Sequence, residues 1–206
     1  MKKEILRKSI HLSSLLIPFG YKYWLGYDKQ LALLWISGVF FIFFVYEYLR
    51  RTKGKLGKML NKYFDIFLRD HEKSGSLAGS FYLLVACVFC VGFFPGEIAF
   101  LSLSFLSLGD TLAALVGKKF GKIKLGDKSL EGSLACFAGC LVLVYLFADR
   151  GLTPEQGLFW WVCIAGVLAA TIAELVPTRV DDNLKMPVAA ALVMIVILKI
   201  GGQFCS

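Results

Sequence analysis

The sequence predicts an all-α polytopic membrane protein, with about seven transmembrane helices and one amphipathic helix lying in the interface. Three observations predict it. Of 206 residues, 57% are hydrophobic and only 18% charged, and the apolar residues fall in blocks long enough to cross a bilayer at 1.5 Å rise per residue. The basic residues alternate in density between successive connections. One charged segment between two blocks carries its apolar residues at helical spacing. The length is that of a single domain, 1–206.

The spans read at 10–25, 31–48, 77–94, 97–117, 130–147, 158–176 and 187–204. His11, Pro18 and Lys22 interrupt the first. Its apolar core is short and no small-residue cleavage site follows, so it is a poor signal peptide. Arg7-Lys8-x-x-His11 opens it, with Arg7 and His11 four apart on one face. That group reads either as a positively charged anchor or as a cationic corner for phosphate. Tyr21, Tyr23 and Trp24 mark the opposite interface as an aromatic belt. The second span is rich in Phe and carries no acid until Glu47. Leu56, Met59, Leu60, Tyr63, Phe64 and Phe67, with lysines between them, predict the amphipathic helix over 55–68. Phe94-Pro95-Gly96 makes a tight turn into the fourth span, where Ser107, Asp110, Ala114 and Gly117 form a small and polar stripe.

Placing the N-terminus in the cytoplasm puts 19 of the 23 Lys and Arg on that side; the four others are Lys22, Lys29, Arg150 and Lys199. The asymmetry follows the positive-inside rule. The net charge of +8 thus describes one face, suited to anionic head groups and nucleotide phosphates. Nothing resembles a nucleic-acid-binding module. The six cysteines lie without clustered histidines and read as small packing residues.

The chemistry concentrates between Gly109 and Ser133. Asp110 is an acid inside an apolar helix, a placement that costs at least about 2.5–3.5 kcal/mol on insertion scales and marks a functional group, the alternative being a helix-packing acid paired with a neighbouring lysine. Gly117-Lys118-Lys119-Phe120-Gly121 and Lys128-Ser129-Leu130-Glu131-Gly132-Ser133 follow. Basic side chains and loop amides suit phosphates, and carboxylates suit Mg²⁺. Gly121-x-x-x-x-Gly126-Asp127-Lys128-Ser129 nearly spells a Walker A motif, but it has an extra residue and no preceding soluble strand. Glu174 and Asp181-Asp182-Asn183 are expected at the same cytoplasmic mouth, which adds oxygen ligands for a metal.

In this order the pieces resemble the family of CTP-dependent lipid-alcohol kinases. It comprises dolichol, phytol and farnesol kinases and the CTP-using diacylglycerol kinase, with phosphatidate cytidylyltransferases as distant relatives. The resemblance rests on Arg7-Lys8-x-x-His11, Arg69-x-x-Glu72, Gly109-Asp110-x-x-Ala113-x-x-x-Gly117-x-x-x-Gly121, Lys128-Ser129-x-Glu131-Gly132, and Glu174 with Asp181-Asp182-Asn183. It implies a single integral-membrane catalytic domain that passes the γ-phosphoryl group of CTP to a membrane-embedded hydroxyl and releases CDP. The loop between spans four and five would help bind CTP, and Asp110 would be needed for catalysis.

On this reading Asp110, Asp181, Asp182 and Glu174 hold Mg²⁺, with Glu131 as a helper. Arg7, Lys8, Lys118, Lys128 and Ser129 contact phosphates, and Gly109, Gly117, Gly121, Gly132 and Asn183 line the nucleotide. Asp110 and His11 are both candidates for the base. The chain lacks the histidine–glycine–glycine and aspartate–arginine elements of a cytidylyltransferase, and it is shorter than dolichol kinases. The expected setting is an integral membrane protein of the plasma membrane or of endomembranes, active on the cytoplasmic side. Its partners are a lipid alcohol and a nucleotide, and it acts alone or as a homodimer. A cytidylyltransferase or a non-enzymatic membrane protein are the competing classes.

Overall fold

The computed structural model describes residues 2–52, 54–64, 76–148, 156–178 and 180–204. Nine helices are seen among the described residues: α1 Lys2–Ser13, α2 Leu16–Tyr23, α3 Lys29–Arg51, α4 Lys55–Phe64, α5 Gly79–Phe93, α6 Gly96–Phe120, α7 Leu130–Phe147, α8 Gln156–Leu175 and α9 Asp182–Phe204. The architecture is helical, with one addition that the sequence did not announce. Strands β1 Lys124–Leu125 and β2 Lys128–Ser129 pair antiparallel between α6 and α7, with Leu125 opposite Lys128. Gly126, at φ 65°, opens the two-residue turn between them, as a tight hairpin requires at its first central position.

Among the described residues, four helices are long and apolar enough to cross a membrane: Lys29–Arg51, Gly96–Phe120, Leu130–Phe147 and Asp182–Gly201. Gly79–Phe93 and Phe159–Leu175 are apolar but shorter. Of the about seven transmembrane helices expected, the described residues thus hold four long apolar helices and two shorter ones. The predicted first span, 10–25, is two short helices. Pro18 has no N–H to give to the Ser14 carbonyl, and its ring crowds that carbonyl. The chain answers with three-residue bonds instead: Ser14 N–H to His11 O at 3.0 Å, Leu15 N–H to Leu12 O at 3.1 Å and Ile17 N–H to Ser14 O at 3.0 Å.

Helix α6 is the axis of the molecule. Fifteen of its residues are buried, from Glu97 to Ala113. Around it pack α7, α9, α5 and α8, with α1 and α2 lying along it end to end, while α3 packs on α5. Close approach at its C-terminal end depends on missing side chains. A Cβ on Gly132 would meet the Ala113 carbonyl at 2.6 Å and one on Gly117 the Ser129 hydroxyl at 2.7 Å. Inside a bilayer such contacts are a main source of helix association, because lipid is as apolar as the helix faces. The predicted amphipathic helix is present as α4; Phe67, with Arg69 and Glu72, lies outside the described residues.

Candidate functional site

Two ionic groups stand at the end of the bundle where α6 finishes and α7 begins. The first joins α1 to α6. Lys8 donates to the Asp110 carboxylate, and also to the Asp110 backbone carbonyl at 3.2 Å. His11 Nε2 lies 3.3 Å from Asp110 Oδ2. One turn further along both helices the Ser14 and Ser107 hydroxyls bond at 2.7 Å. Lys8, His11 and Ser14 are three apart in sequence, so one face of α1 carries the complement of the polar stripe on α6. Lys8 and Asp110 are both buried, at 4% and 6% exposure. Neither charge is tolerable alone at that depth, and the pairing makes the placement tenable.

The second group is built on the hairpin. Lys128 donates to Glu174 Oε1 at 2.7 Å and to Asp182 Oδ2 at 2.9 Å. Lys185 reaches the other Asp182 oxygen at 2.8 Å, and the Ser133 hydroxyl donates to Glu174 Oε2 at 3.4 Å. Burial alone would depress the Lys128 ammonium, but hydrogen bonds and charge from Asp182 and Glu174 outweigh it, so its pKa is raised well above the ordinary lysine value. Strand β2, which carries Lys128, packs on α6, which carries Asp110, so the two groups stand at the same end of the bundle.

The sequence-predicted residues separate into those that meet here and those that hold the frame. Asp110, His11 and Lys8 meet, and Lys128, Glu174 and Asp182 meet. Asp181 instead caps α9, its Oδ1 accepting the Asn183 N–H at 2.9 Å. Asn183 donates its amide to the Gly79 carbonyl at 2.9 Å, tying α9 to the start of α5. Glu131 accepts from the Lys122 and Ile123 backbone amides at 2.9 and 3.1 Å and fixes the loop. Ser129 caps α7 by accepting the Gly132 N–H at 3.2 Å. The bare faces of Gly109, Gly117, Gly121 and Gly132 are turned to protein: Gly109 to the Cys136 and Cys140 sulfurs, the other three to the Ser129 hydroxyl. Lys118 is exposed and Arg7 half-buried.

The four carboxylates assigned to Mg²⁺ do not gather at one point. Among the described residues no group of three or more His, Cys, Asp or Glu stands at metal-binding spacing. Glu174 and Asp182 nevertheless converge on a single cation, the Lys128 ammonium. Two carboxylates completed by substrate phosphates and water are an ordinary Mg²⁺ shell, so this pair fits the ion.

Sequence reasoning gave no role to Ser133, Ser14 or Lys185, whose small or basic side chains carry no pattern of their own. It also missed a third ionic group at the opposite end of the bundle. There Lys22 donates to Glu97 at 3.0 and 3.2 Å and to the Phe147 carbonyl at 2.7 Å, while Tyr27 donates to the same carboxylate.

No protein-family model matches the chain, and no solved structure matches it. Among curated proteins it is 29% identical to CTP-dependent diacylglycerol kinase 1 of Schizosaccharomyces pombe, over 96% of this chain and 94% of that one. It is 27% identical to dolichol kinase EVAN of Arabidopsis thaliana over 88% of this chain, but only 33% of that longer protein. A probable chloroplastic phytol kinase of Triticum aestivum is 34% identical over 61% of this chain and 46% of its own length. With kinases of three lipid alcohols all similar to it, the first of them from end to end, the chain is similar to the lipid-alcohol kinases.

Proposed function

We propose that this protein transfers the γ-phosphoryl group of CTP to the hydroxyl of a membrane lipid alcohol at the cytoplasmic face. The observation that carries the reading is the buried Lys8–His11–Asp110 cluster standing beside the Lys128 network. The likeness to a CTP-dependent kinase supports the choice of nucleotide.

Phosphoryl transfer asks the protein mainly to position reactants and offset charge. The alcohol oxygen bonds to the γ-phosphorus as the bridge oxygen to the β-phosphate departs with CDP. The hydroxyl proton passes to the His11 imidazole, and Asp110 stabilises the resulting positive charge. Lys8 keeps Asp110 ionised in apolar surroundings. Arg7, Lys118 and Lys128 supply positive charge to the phosphates, and Ser129 and Glu131 hold the connecting loop in shape. Glu174 and Asp182 would hold Mg²⁺, which when bound supplies charge neutralisation at the β- and γ-phosphates.

The test uses purified protein, CTP labelled at the γ-phosphate, Mg²⁺, and a panel of phytol, farnesol, polyprenol and diacylglycerol. Labelled lipid phosphate and CDP are expected. Pyrophosphate release with a lipid phosphate as acceptor would move the chain to nucleotidyl transfer.

A further inference from the structure

A cavity of about 380 Å³ opens between α2, α3 and α5. We propose that it holds one hydrocarbon chain of the alcohol substrate, the stretch nearest the hydroxyl; this rests on the kinase reading above. Its inner wall is buried and apolar, formed by Tyr21, Ala32, Ile36 and Leu84. Its rim carries Trp24 and Trp35, at 79% and 66% exposure. A space with such walls and such a rim takes its occupant sideways from the bilayer.

Continuity with the ionic site identifies that occupant as substrate. The groove begins at Leu16 and Ile17, two residues beyond Ser14. The Ser14 hydroxyl is bonded to Ser107, one turn from Asp110 on α6. Helices α1 and α2 lie end to end along α6 while α3 lies along α5, so the groove is the gap between these two pairs at the level of α2. A hydroxyl placed at His11 and Asp110 thus has its chain directed past Ser14 and into this gap.

The volume sets how much chain it covers. An apolar cavity of about 150 Å³ accepts six-carbon benzene, so 380 Å³ corresponds to roughly fifteen carbons. Ala32 and Gly20 are small where larger side chains would close the space, and Val39 stands at its edge, 42% exposed.

Two measurements test the proposal. A diazirine-bearing farnesol is irradiated with the wild-type protein in bilayers and the labelled peptides are mapped. Saturable labelling of α2 and α3, competed by unlabelled farnesol, is expected. Labelling spread over all lipid-facing helices, or matched by a diazirine phospholipid, overturns the groove. In the second measurement Val39→Trp, at a half-exposed position, should keep the wild-type melting temperature and raise the apparent KM for farnesol and phytol at least tenfold. The KM for CTP and for a short water-soluble alcohol should stay unchanged, and the wild-type KM should fall with chain length and flatten near fifteen carbons. Unaltered long-chain KM in Val39→Trp, with transfer intact, overturns the groove and leaves the kinase reading standing. Saturable labelling of α2 and α3 without transfer to any alcohol supports the groove and removes the kinase reading.

Discussion

Asp110 answers to Lys8 and His11 at once, and the consequence for mutation is specific. Asp110→Asn leaves the Lys8 ammonium buried without its carboxylate, and breaking such a pair commonly costs about 3–5 kcal/mol. The variant should therefore lose thermal stability in detergent as well as turnover, by about 10²-fold or more in kcat. Lys8→Met together with Asp110→Asn removes the orphaned charge, so its melting temperature should recover while turnover stays low. Wild-type turnover in that folded double variant would reduce Asp110 to a packing role. Lys128 yields a pH prediction. Its pKa is raised in the fold, so its stabilising contribution is complete below the unfolded lysine value of about 10.4 and is lost only as pH rises through the higher folded value. The melting-temperature gap between wild type and Lys128→Gln should then be constant from pH 6 to 9, and a gap that closes within that window would contradict the assignment. The sequence singled out Asp110, Lys8 and His11 individually, because an acid in an apolar helix and a cationic turn are local signals. Their pairing spans 102 positions, and periodicity reports only neighbours within a helix. Glu131 illustrates the converse: its place at a helix mouth suggested chemistry, and the fold uses it to hold two loop amides.

At the scale of elements, the junction of α6, β2 and α7 is the tightest part of the site. Gly132→Ala would drive a methyl to 2.6 Å from the Ala113 carbonyl, a backbone atom that cannot swing aside. Overpacking of this kind costs about 1–3 kcal/mol, and the shift would reach Lys128 through Ser129. Gly38→Ala is the matched control, since nothing lies within 4 Å of its would-be Cβ on α3. Alanine there should be neutral or stabilising by up to about 1 kcal/mol through helix propensity. Comparable melting temperatures for the two variants would show that the junction is looser than these distances imply. The glycines were legible as landmarks; whether a helix or a nucleotide filled their faces was not, because both need the same absence of a side chain. The break between α1 and α2 was half legible. Pro18 and the serines were visible, but a hydropathy window averages over a break that occupies only residues 14–15.

The whole molecule carries its charges in an order that supports the proposed orientation in a membrane. Lys8 meets Asp110 and Lys22 meets Glu97, so α1 and α2 together run antiparallel to α6 for roughly 20 Å at 1.5 Å per residue. At the far end Lys29 donates to the Gly92 carbonyl at 2.7 Å, beside the Lys22–Glu97 group and the end of α7. Lys22 and Lys29, two of the four basic residues outside the dense clusters, therefore mark one end of the bundle. Lys128, Lys185 and the termini of α6 and α8 mark the other. The proposed topology counts the broken α1–α2 pair as one traverse of the bundle, with α3, α5, α6, α7, α8 and α9 carrying the chain back and forth, so that the C-terminus would emerge opposite the N-terminus. In the proposed orientation, with the basic end inside, the Lys8–Asp110 and Lys128 groups would face the cytoplasm, where nucleotide is present. Reporter fusions at Ser206 should give the exterior signal, and a cysteine replacing Lys124 on the hairpin should react with impermeant thiol reagent only after the membrane is opened. An interior signal at Ser206 with a protected hairpin would mean that α1 and α2 form a re-entrant pair. An accessible hairpin would place the ionic site on the face without nucleotide and remove the kinase reading.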